Sequence, residues 1–197
     1  MTHKPKSDDF LAPGTMIQLY SQGAFPMGEE DGTVNWYMPQ IRSIIPLDNF
    51  NIPSSLKSFM KDSDFEYKFD MCTLQVVRKC SQRKKTWINE TLLKAYEKIY
   101  SLGYLHSVEV FQKAKLVGGL YGVAVNGAFF GESMFSEVSQ ASKCALIKLL
   151  EHLNEKGFTL LDIQFTTKHL EMFGAVEISF DEYYDLLIKA YYSDVKF

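Results

Sequence analysis

HSVEVFQKAKLVGGLYGVAVNGAFFGESMF, residues 106–135, contains three strand-like segments. In the first, HSVEVFQ, the alternation of residue types places Val108 and Val110 on one face. The second, KLVGGLYGVAV, is apolar almost throughout, as expected of a strand that is buried on both faces. Asn126-Gly127 is a strong hairpin signal and joins the second segment to the third, AFFGESMF. The stretch therefore predicts an antiparallel meander.

The third segment carries a carboxylate, Glu132, in an apolar and aromatic run. A buried charge without a partner is costly. Glu132 is therefore expected either to pair with a nearby cation or to face a cavity.

The sequence on either side of the meander has alternating helix and strand patterns. Asn89 is a candidate N-cap, and Ser179 with Glu182 forms a capping-box pattern. The periodicities predict strands at 65–69, 159–165 and 176–179, and helices at 73–82, 89–102, 140–156 and 179–192, with a helical turn at 166–173. This order predicts an α/β (α+β) fold with a mixed, mostly antiparallel sheet.

The N-terminal part of the chain has a different composition. Residues 12–61 hold five of the six prolines and many turn-forming residues. Short helices are predicted at 16–22 and 53–60. We interpret residues 1–45 as a small N-terminal subdomain and residues 46–197 as the main domain.

Composition and charge exclude several classes of protein. The 197 residues are 46% hydrophobic and 23% charged, which is typical of a globular domain. The net charge of −3 gives no overall attraction to nucleic acid, and no apolar run is long enough to span a membrane. The three cysteines lack metal-ligand spacing, which favours reduced thiols in a cytoplasmic protein. We expect no cofactor, no metal and no membrane contact, and a monomeric protein.

Asp162 and Gln164 lie two residues apart in the predicted strand TLLDIQF, so they share one face while Leu161 and Ile163 share the other. The pattern fits either an exposed strand face or a ligand site at the end of a strand. If Asp162, Gln164 and Glu132 converge, they form an acidic, hydrogen-bonding site suited to an amine.

Two further stretches allow more than one interpretation. Lys143 stands near the start of a predicted helix, where small residues leave N–H groups free either for capping or for an anion. The basic run RKCSQRKK, residues 78–85, fits either a solvated helix end or a phosphate contact.

Several motifs together resemble one enzyme family. In order and spacing, HSVEVF, LVGGLYGVA, FFGESMFSEVSQASK, LLDIQF and FGAVEIS are similar to the leucyl/phenylalanyl-tRNA–protein transferases, as are TWIN, YSQGAFP and NWYMP. The resemblance covers about residues 16–190 and is most specific between Trp87 and Ser179. It implies a main domain with a GNAT-like acyltransferase fold and a small N-terminal domain.

The resemblance also implies an activity. The expected enzyme moves Leu or Phe, and by the shape of its pocket also Met, from aminoacyl-tRNA to the α-amine of a protein that begins with Arg or Lys. The product would enter N-end rule degradation. The implied catalytic residues are Asp162 and Gln164 in the D-x-Q motif and Glu132 in the G-E-S-M motif. The implied pocket for the donor side chain is formed by Trp87, Leu120, Phe129, Met134, Leu149, Leu153 and Leu161.

The chain departs from the family where tRNA is expected to bind. Met27 occupies the place of a tryptophan that stacks on the terminal adenosine in the family, and Trp36 or Tyr37 is the expected substitute. Few basic residues remain near residues 51–61, so the expected phosphate contacts are Lys57, Lys61, Arg83, Lys84 and Lys85. Two alternatives stay open: an acyltransferase that uses another aminoacyl-tRNA or an acyl-CoA, and a non-catalytic binder of basic N-termini.

Overall fold

A computed structural model describes residues 10–84 and 86–197. Within these residues the strands are β1 Phe25–Gly28, β2 Val34–Tyr37, β3 Ile41–Ile44, β4 Phe65–Phe69, β5 Leu105–Gln112, β6 Lys115–Val125, β7 Ala128–Ser136, β8 Leu160–Gln164 and β9 Val176–Ser179. The helices are α1 Pro13–Ser21, α2 Ser54–Asp62, α3 Thr73–Ser81, α4 Glu90–Ser101, α5 Ala141–Lys156, α6 Lys168–Glu171 and α7 Phe180–Tyr191.

The meander predicted from residues 106–135 is present as β5, β6 and β7. β6 pairs antiparallel with both of its neighbours and is buried along almost its whole length. Asn126 has a φ of 50°, the left-handed conformation that a tight hairpin turn requires. Val108 and Val110 lie in the same part of the core, as their alternation predicts.

The main sheet has seven strands in the order β4-β5-β6-β7-β8-β3-β9. β7 and β8 are parallel, and the other neighbouring pairs are antiparallel. This arrangement confirms the predicted α/β class and its mixed, mostly antiparallel sheet.

The N-terminal segment contributes more β-structure than the sequence indicates. The predicted helices correspond to α1 and α2, but β1, β2 and β3 were not anticipated in a stretch so rich in proline. β1 and β2 form a separate two-stranded ribbon, in which Pro26 is tolerated because the ribbon has no interior strand. β3 lies before the boundary predicted at residue 45, yet it pairs with β8 and β9 in the main sheet. The boundary itself stays a prediction.

Helix ends follow the capping signals in the sequence. The Asn89 side chain accepts a hydrogen bond from the Leu92 N–H at 3.0 Å at the start of α4. Ser179 and Glu182 complete the predicted capping box of α7. Gly157, with a φ of 81°, ends α5 in the left-handed conformation that favours glycine.

The sheet separates two apolar layers. One face is covered by α1, α3, α4 and α7, and the other mainly by α2 and α5. Among the described residues, no helix is long and apolar enough to cross a membrane.

The parallel strands β7 and β8 pair only through the first three residues of each. The pairing runs from Ala128 with Leu160 to Phe130 with Asp162 and continues no further. Beyond this point each strand carries a β-bulge, because Glu132 has no counterpart on β6 and Ile163 has none on β3. Bulges change the direction of side chains and are frequent beside active sites. The gap between these strands is the position of the candidate site.

Candidate active site

A cavity of ≈ 370 Å³ lies where β7 and β8 diverge. Its walls come from both faces of the sheet, and most of them are apolar. The apolar side chains that line it are Phe25, Met27, Trp87, Leu120, Met134, Leu146, Leu149, Leu161, Ile163, Phe165 and Leu170.

Five of the seven residues predicted to hold the donor side chain line this cavity: Trp87, Leu120, Met134, Leu149 and Leu161. The bulge at Glu132 explains the position of Met134. It shifts the alternation of β7, so that Met134 packs against the α5 side while Phe135 packs on the opposite side.

The two remaining residues of the predicted pocket, Phe129 and Leu153, do not line the cavity. Both are fully buried on the α5 side of the sheet. The Phe129 ring stacks on Phe197 with a centroid distance of 5.4 Å.

Glu132 is buried in the cavity wall and is held by two tyrosines. Its Oε1 accepts a hydrogen bond from the Tyr20 hydroxyl at 2.7 Å, and its Oε2 accepts one from the Tyr96 hydroxyl at 2.8 Å. Burial raises the pKa of both tyrosines well above the usual value, which keeps these hydroxyls protonated as donors. No cation within the described ranges forms an ion pair with Glu132. It is therefore fixed in place and, when ionised, can pair with a cation of a ligand.

Burial raises the pKa of the Glu132 carboxyl from its ordinary value of 4.5 to about 7, although the two tyrosine hydrogen bonds act in the opposite direction. The folded protein thus binds this proton more tightly than the unfolded chain does. The contribution of Glu132 to the free energy of unfolding consequently falls as the pH rises from 4.5 towards 7. Near neutral pH the carboxyl group is poised between its two forms.

Asp162 is fully buried behind the cavity and does not line it. Its Oδ2 forms an ion pair with Arg42 and accepts a hydrogen bond from the Tyr183 hydroxyl at 2.8 Å. Its Oδ1 accepts a hydrogen bond from the Gln164 backbone N–H at 2.8 Å. The carboxylate therefore connects a buried cation to the main chain of Gln164.

Arg42 joins three parts of the fold. Its guanidinium also donates to the Gly23 carbonyl and lies over the Tyr183 ring, 4.3 Å from the ring centroid. The side chain is fully buried. Arg42 lies in the apolar run IRSII, just as Glu132 lies in an apolar strand. A charged residue in such a run indicates a buried ion pair or a site, so Arg42 could have been recognised in the sequence.

Gln164 is held in an unusual backbone conformation. Its φ is 58°, and the N–H of Phe165 donates to the carbonyl of Ile163 at 2.6 Å. A positive φ with this hydrogen bond defines a γ-turn that is rare and strained for a residue other than glycine. The Gln164 side chain lines the cavity, and its buried Nε2 has no hydrogen-bond partner among the described residues. A buried donor of this kind calls for a ligand or another explanation.

Of the three residues predicted to converge, Glu132 and Gln164 thus line one cavity, and Asp162 supports it from behind. The side chains of β8 point alternately to the two faces of the sheet, as predicted, as far as Ile163. Leu161 and Ile163 pack on the α5 side, while Asp162 faces Tyr183 on the other side. The bulge and the γ-turn then bring Gln164 to the cavity.

The residues predicted to bind tRNA are distributed over several sites. Met27 and Arg83 line the cavity, and the Nη1 of Arg83 donates to the Met134 carbonyl at 3.1 Å. Trp36 packs edge-on against Tyr20 with a centroid distance of 5.5 Å.

The lysines in this set lie elsewhere. Lys57 and Lys61 line a second groove, which is formed with α5. Lys84 is exposed, and Lys85 lies outside the described residues.

Several residues of the site were not predicted from the sequence. Tyr20, Tyr96 and Arg42 hold the carboxylates, and Phe165 and His169 line the cavity. Burial lowers the pKa of His169, which favours a neutral ring. Within the described ranges, no group of three or more His, Cys, Asp or Glu side chains could hold a metal ion.

Solved structures with a similar arrangement include L-PGS from Bacillus licheniformis, with a TM-score of 0.43 and 16% identity over 80% of this chain and 55% of that one. A functionally unknown conserved protein from Staphylococcus epidermidis has a TM-score of 0.45 and 10% identity over 84% of this chain and 64% of that one. The chain thus spans just over half to about two thirds of these structures, and similarity at this level says nothing about function.

Comparison of the sequence with known families and proteins gives closer matches. The family model for the leucyl/phenylalanyl-tRNA protein transferases matches residues 44–188, and the model for their N-terminal domain matches residues 10–40. A leucyl/phenylalanyl-tRNA–protein transferase from Salinibacter ruber is 44% identical over 92% of this chain and 81% of its own length. One from Herpetosiphon aurantiacus is 47% identical over 91% of this chain and 94% of its own length. The chain therefore belongs to the leucyl/phenylalanyl-tRNA–protein transferase family.

Proposed function

We propose that this aminoacyltransferase moves Leu, Phe or Met from tRNA to the α-amine of proteins that begin with Arg or Lys, and that the products enter N-end rule degradation. The observation that carries the proposal is the position of Glu132. A carboxylate held by two tyrosines stands in the wall of an otherwise largely apolar cavity.

The apolar walls suit the side chain of the donor amino acid. Leu120, Leu149 and Leu161 present no polar side-chain group to a substrate, and Met134 is unbranched and adaptable. A chain of the shape of Leu, Phe or Met fits such a pocket, whereas a β-branched chain places its bulk next to the ester. This difference favours Leu, Phe and Met over Val and Ile.

Glu132 suits a positively charged acceptor. Once ionised, it can pair with an ammonium or guanidinium group, and in a desolvated site a charge-assisted hydrogen bond is strong. Its two tyrosine bonds keep the carboxylate from rotating to follow a wrongly placed ligand. An N-terminal Arg or Lys offers two cations, the side chain and the α-ammonium group. An acceptor with a neutral or acidic first residue offers fewer favourable contacts.

In the reaction, the neutral α-amine of the acceptor attacks the carbonyl carbon of the aminoacyl ester. A C–N bond forms, the C–O bond to the ribose breaks, and a proton passes from the amine to the departing ribose oxygen. We propose that the Gln164 carboxamide positions the amine and that Asp162 acts through the backbone of Gln164. The ester is already activated, so accurate positioning can supply a large part of the rate.

A panel of peptides that differ only in the first residue tests the acceptor preference. Phe-tRNA is the donor, and the first residue of the peptide is Arg, Lys, Ala or Glu. The measured quantity is the rate at which Phe is added to the N-terminus of the peptide. We expect Arg and Lys to be preferred at least about tenfold in kcat/KM, and Glu132→Gln to remove most of this preference.

Glu137→Gln is the matched control, because Glu137 is an exposed glutamate of the same region that pairs with Lys79. It should retain the full preference. Equal rates for Arg and Ala peptides with the unaltered enzyme, or an unchanged preference in Glu132→Gln, would refute the proposal.

A further inference from the structure

The mouth of the cavity is marked by its exposed residues. Three of the described residues that line the cavity are exposed, namely Arg83, Phe165 and Thr167. Arg83 is tied to β7 through its hydrogen bond to the Met134 carbonyl. Phe165 directly follows β8, and Thr167 stands two residues further on. The mouth thus carries a cation bonded to β7, and an aromatic ring and a hydroxyl from the segment after β8.

Phe165 is a large aromatic side chain at this mouth. It is 52% exposed although it lines a cavity. Its ring is nearly perpendicular to that of Phe25, at an interplanar angle of 86° and a centroid distance of 5.5 Å. Such a contact covers only part of the ring. The γ-turn at Gln164 fixes the backbone from which the ring extends.

The chemistry of the donor places a base near this ring. In an aminoacyl-tRNA, the amino acid is esterified to the ribose of the terminal adenosine. When the amino acid side chain fills the cavity, the adenine is only one ribose away and must lie at the mouth. Aromatic side chains bind unpaired bases by stacking, and arginine binds the phosphates between them.

We infer that Phe165 stacks on the terminal adenine of the donor tRNA and that Arg83 contacts the adjoining phosphate. The inference rests on the proposed placement of the donor side chain in the cavity. Met27 and Trp36, two of the residues predicted from the sequence for this contact, are both partly buried. Neither offers an aromatic face at the mouth comparable to Phe165.

Equilibrium binding of two stable donor analogues tests the inference without any acceptor. The first is adenosine that carries phenylalanine through a 3′-amide instead of an ester. The second is the same phenylalanyl aminoribose without the base. Phe165→Ala should weaken binding of the first about 5- to 100-fold and leave binding of the second unchanged. Phe165→Trp should bind the first at least as tightly as the unaltered enzyme.

Tyr192→Ala is the control, because Tyr192 is 81% exposed and does not line the cavity. It should not alter the affinity for either analogue. An equal loss for both analogues in Phe165→Ala would overturn the inference, since the ring would then act on the pocket and not on the base. Failure of the unaltered enzyme to distinguish the two analogues would also overturn it. A missing preference for Arg or Lys acceptors would refute the proposed function and leave this result intact.

Discussion

Replacement of Asp162 is expected to lower both transfer activity and stability. From sequence alone, Asp162→Ala should lose most of its transfer activity and leave the fold intact. The structure changes the second half of that expectation, because the substitution leaves the Arg42 charge buried without its partner. It also removes the acceptor for the Tyr183 hydroxyl and for the Gln164 N–H.

The size of the effect follows from the burial of both partners. Breaking a fully buried ion pair from one side costs about 3–5 kcal/mol. For a chain of this length, each kcal/mol lowers Tm by about 2–4 °C, so Asp162→Ala should melt about 6–20 °C below the unaltered enzyme. Gln164→Ala is the matched variant. Its Nε2 has no hydrogen-bond partner within residues 10–84 and 86–197, so we expect a loss of transfer with a change in unfolding free energy below about 1 kcal/mol.

Urea denaturation and single-turnover transfer of Phe to an Arg-started peptide measure the two effects separately. A double-mutant cycle with Arg42→Met and Asp162→Leu isolates the pair. The double variant should lose much less stability than the sum of the two single changes, because it leaves no unpaired charge. Additive losses, or an Asp162→Ala variant with unchanged Tm, would refute the reasoning. Full transfer activity in a folded Asp162→Ala variant would refute the positioning role.

Three further perturbations test other parts of the site. Raising the pH from 5 to 8 should lower the unfolding free energy of the unaltered enzyme by up to about 3 kcal/mol, because the pKa of Glu132 is raised to about 7 in the folded protein. Glu132→Gln should not show this loss of stability. Urea denaturation that gives the two proteins parallel stability profiles against pH would contradict the prediction. Changing Arg83 and Lys84 together to Gln should lower the salt slope of tRNA binding by about 1.4, and an unchanged slope would exclude them as phosphate contacts. Leu149→Trp should reduce the pocket and lower kcat/KM for Phe-tRNA about tenfold more than for Leu-tRNA, and a uniform loss for both donors would place Leu149 outside the pocket.

Most of the main domain was predictable because each element carries its own local signal. β6 is a continuous apolar run, Asn126-Gly127 marks its hairpin, and Asn89 and Ser179 cap their helices. These signals depend on residues a few positions apart. They are therefore visible without knowledge of the tertiary structure.

The parts that were missed depend on contacts between distant residues. β3 is only four residues long, and it becomes a strand because β8 and β9 supply hydrogen bonds on both of its sides. The bulge at Glu132 is not marked by any local signal, yet it decides which side of the sheet Met134 faces. The ion pair of Arg42 with Asp162 likewise joins residues 120 positions apart.

The position of β3 has a consequence for the newborn protein. The ribosome releases Ile41–Ile44 early, but β8 and β9, the strands that flank it, begin only at Leu160 and Val176. Contacts between such distant segments form late, because a long loop must close first. Arg42 therefore meets Asp162 only after a further 120 residues have been synthesised. A copy that terminates before β8 lacks Asp162 and cannot assemble this centre.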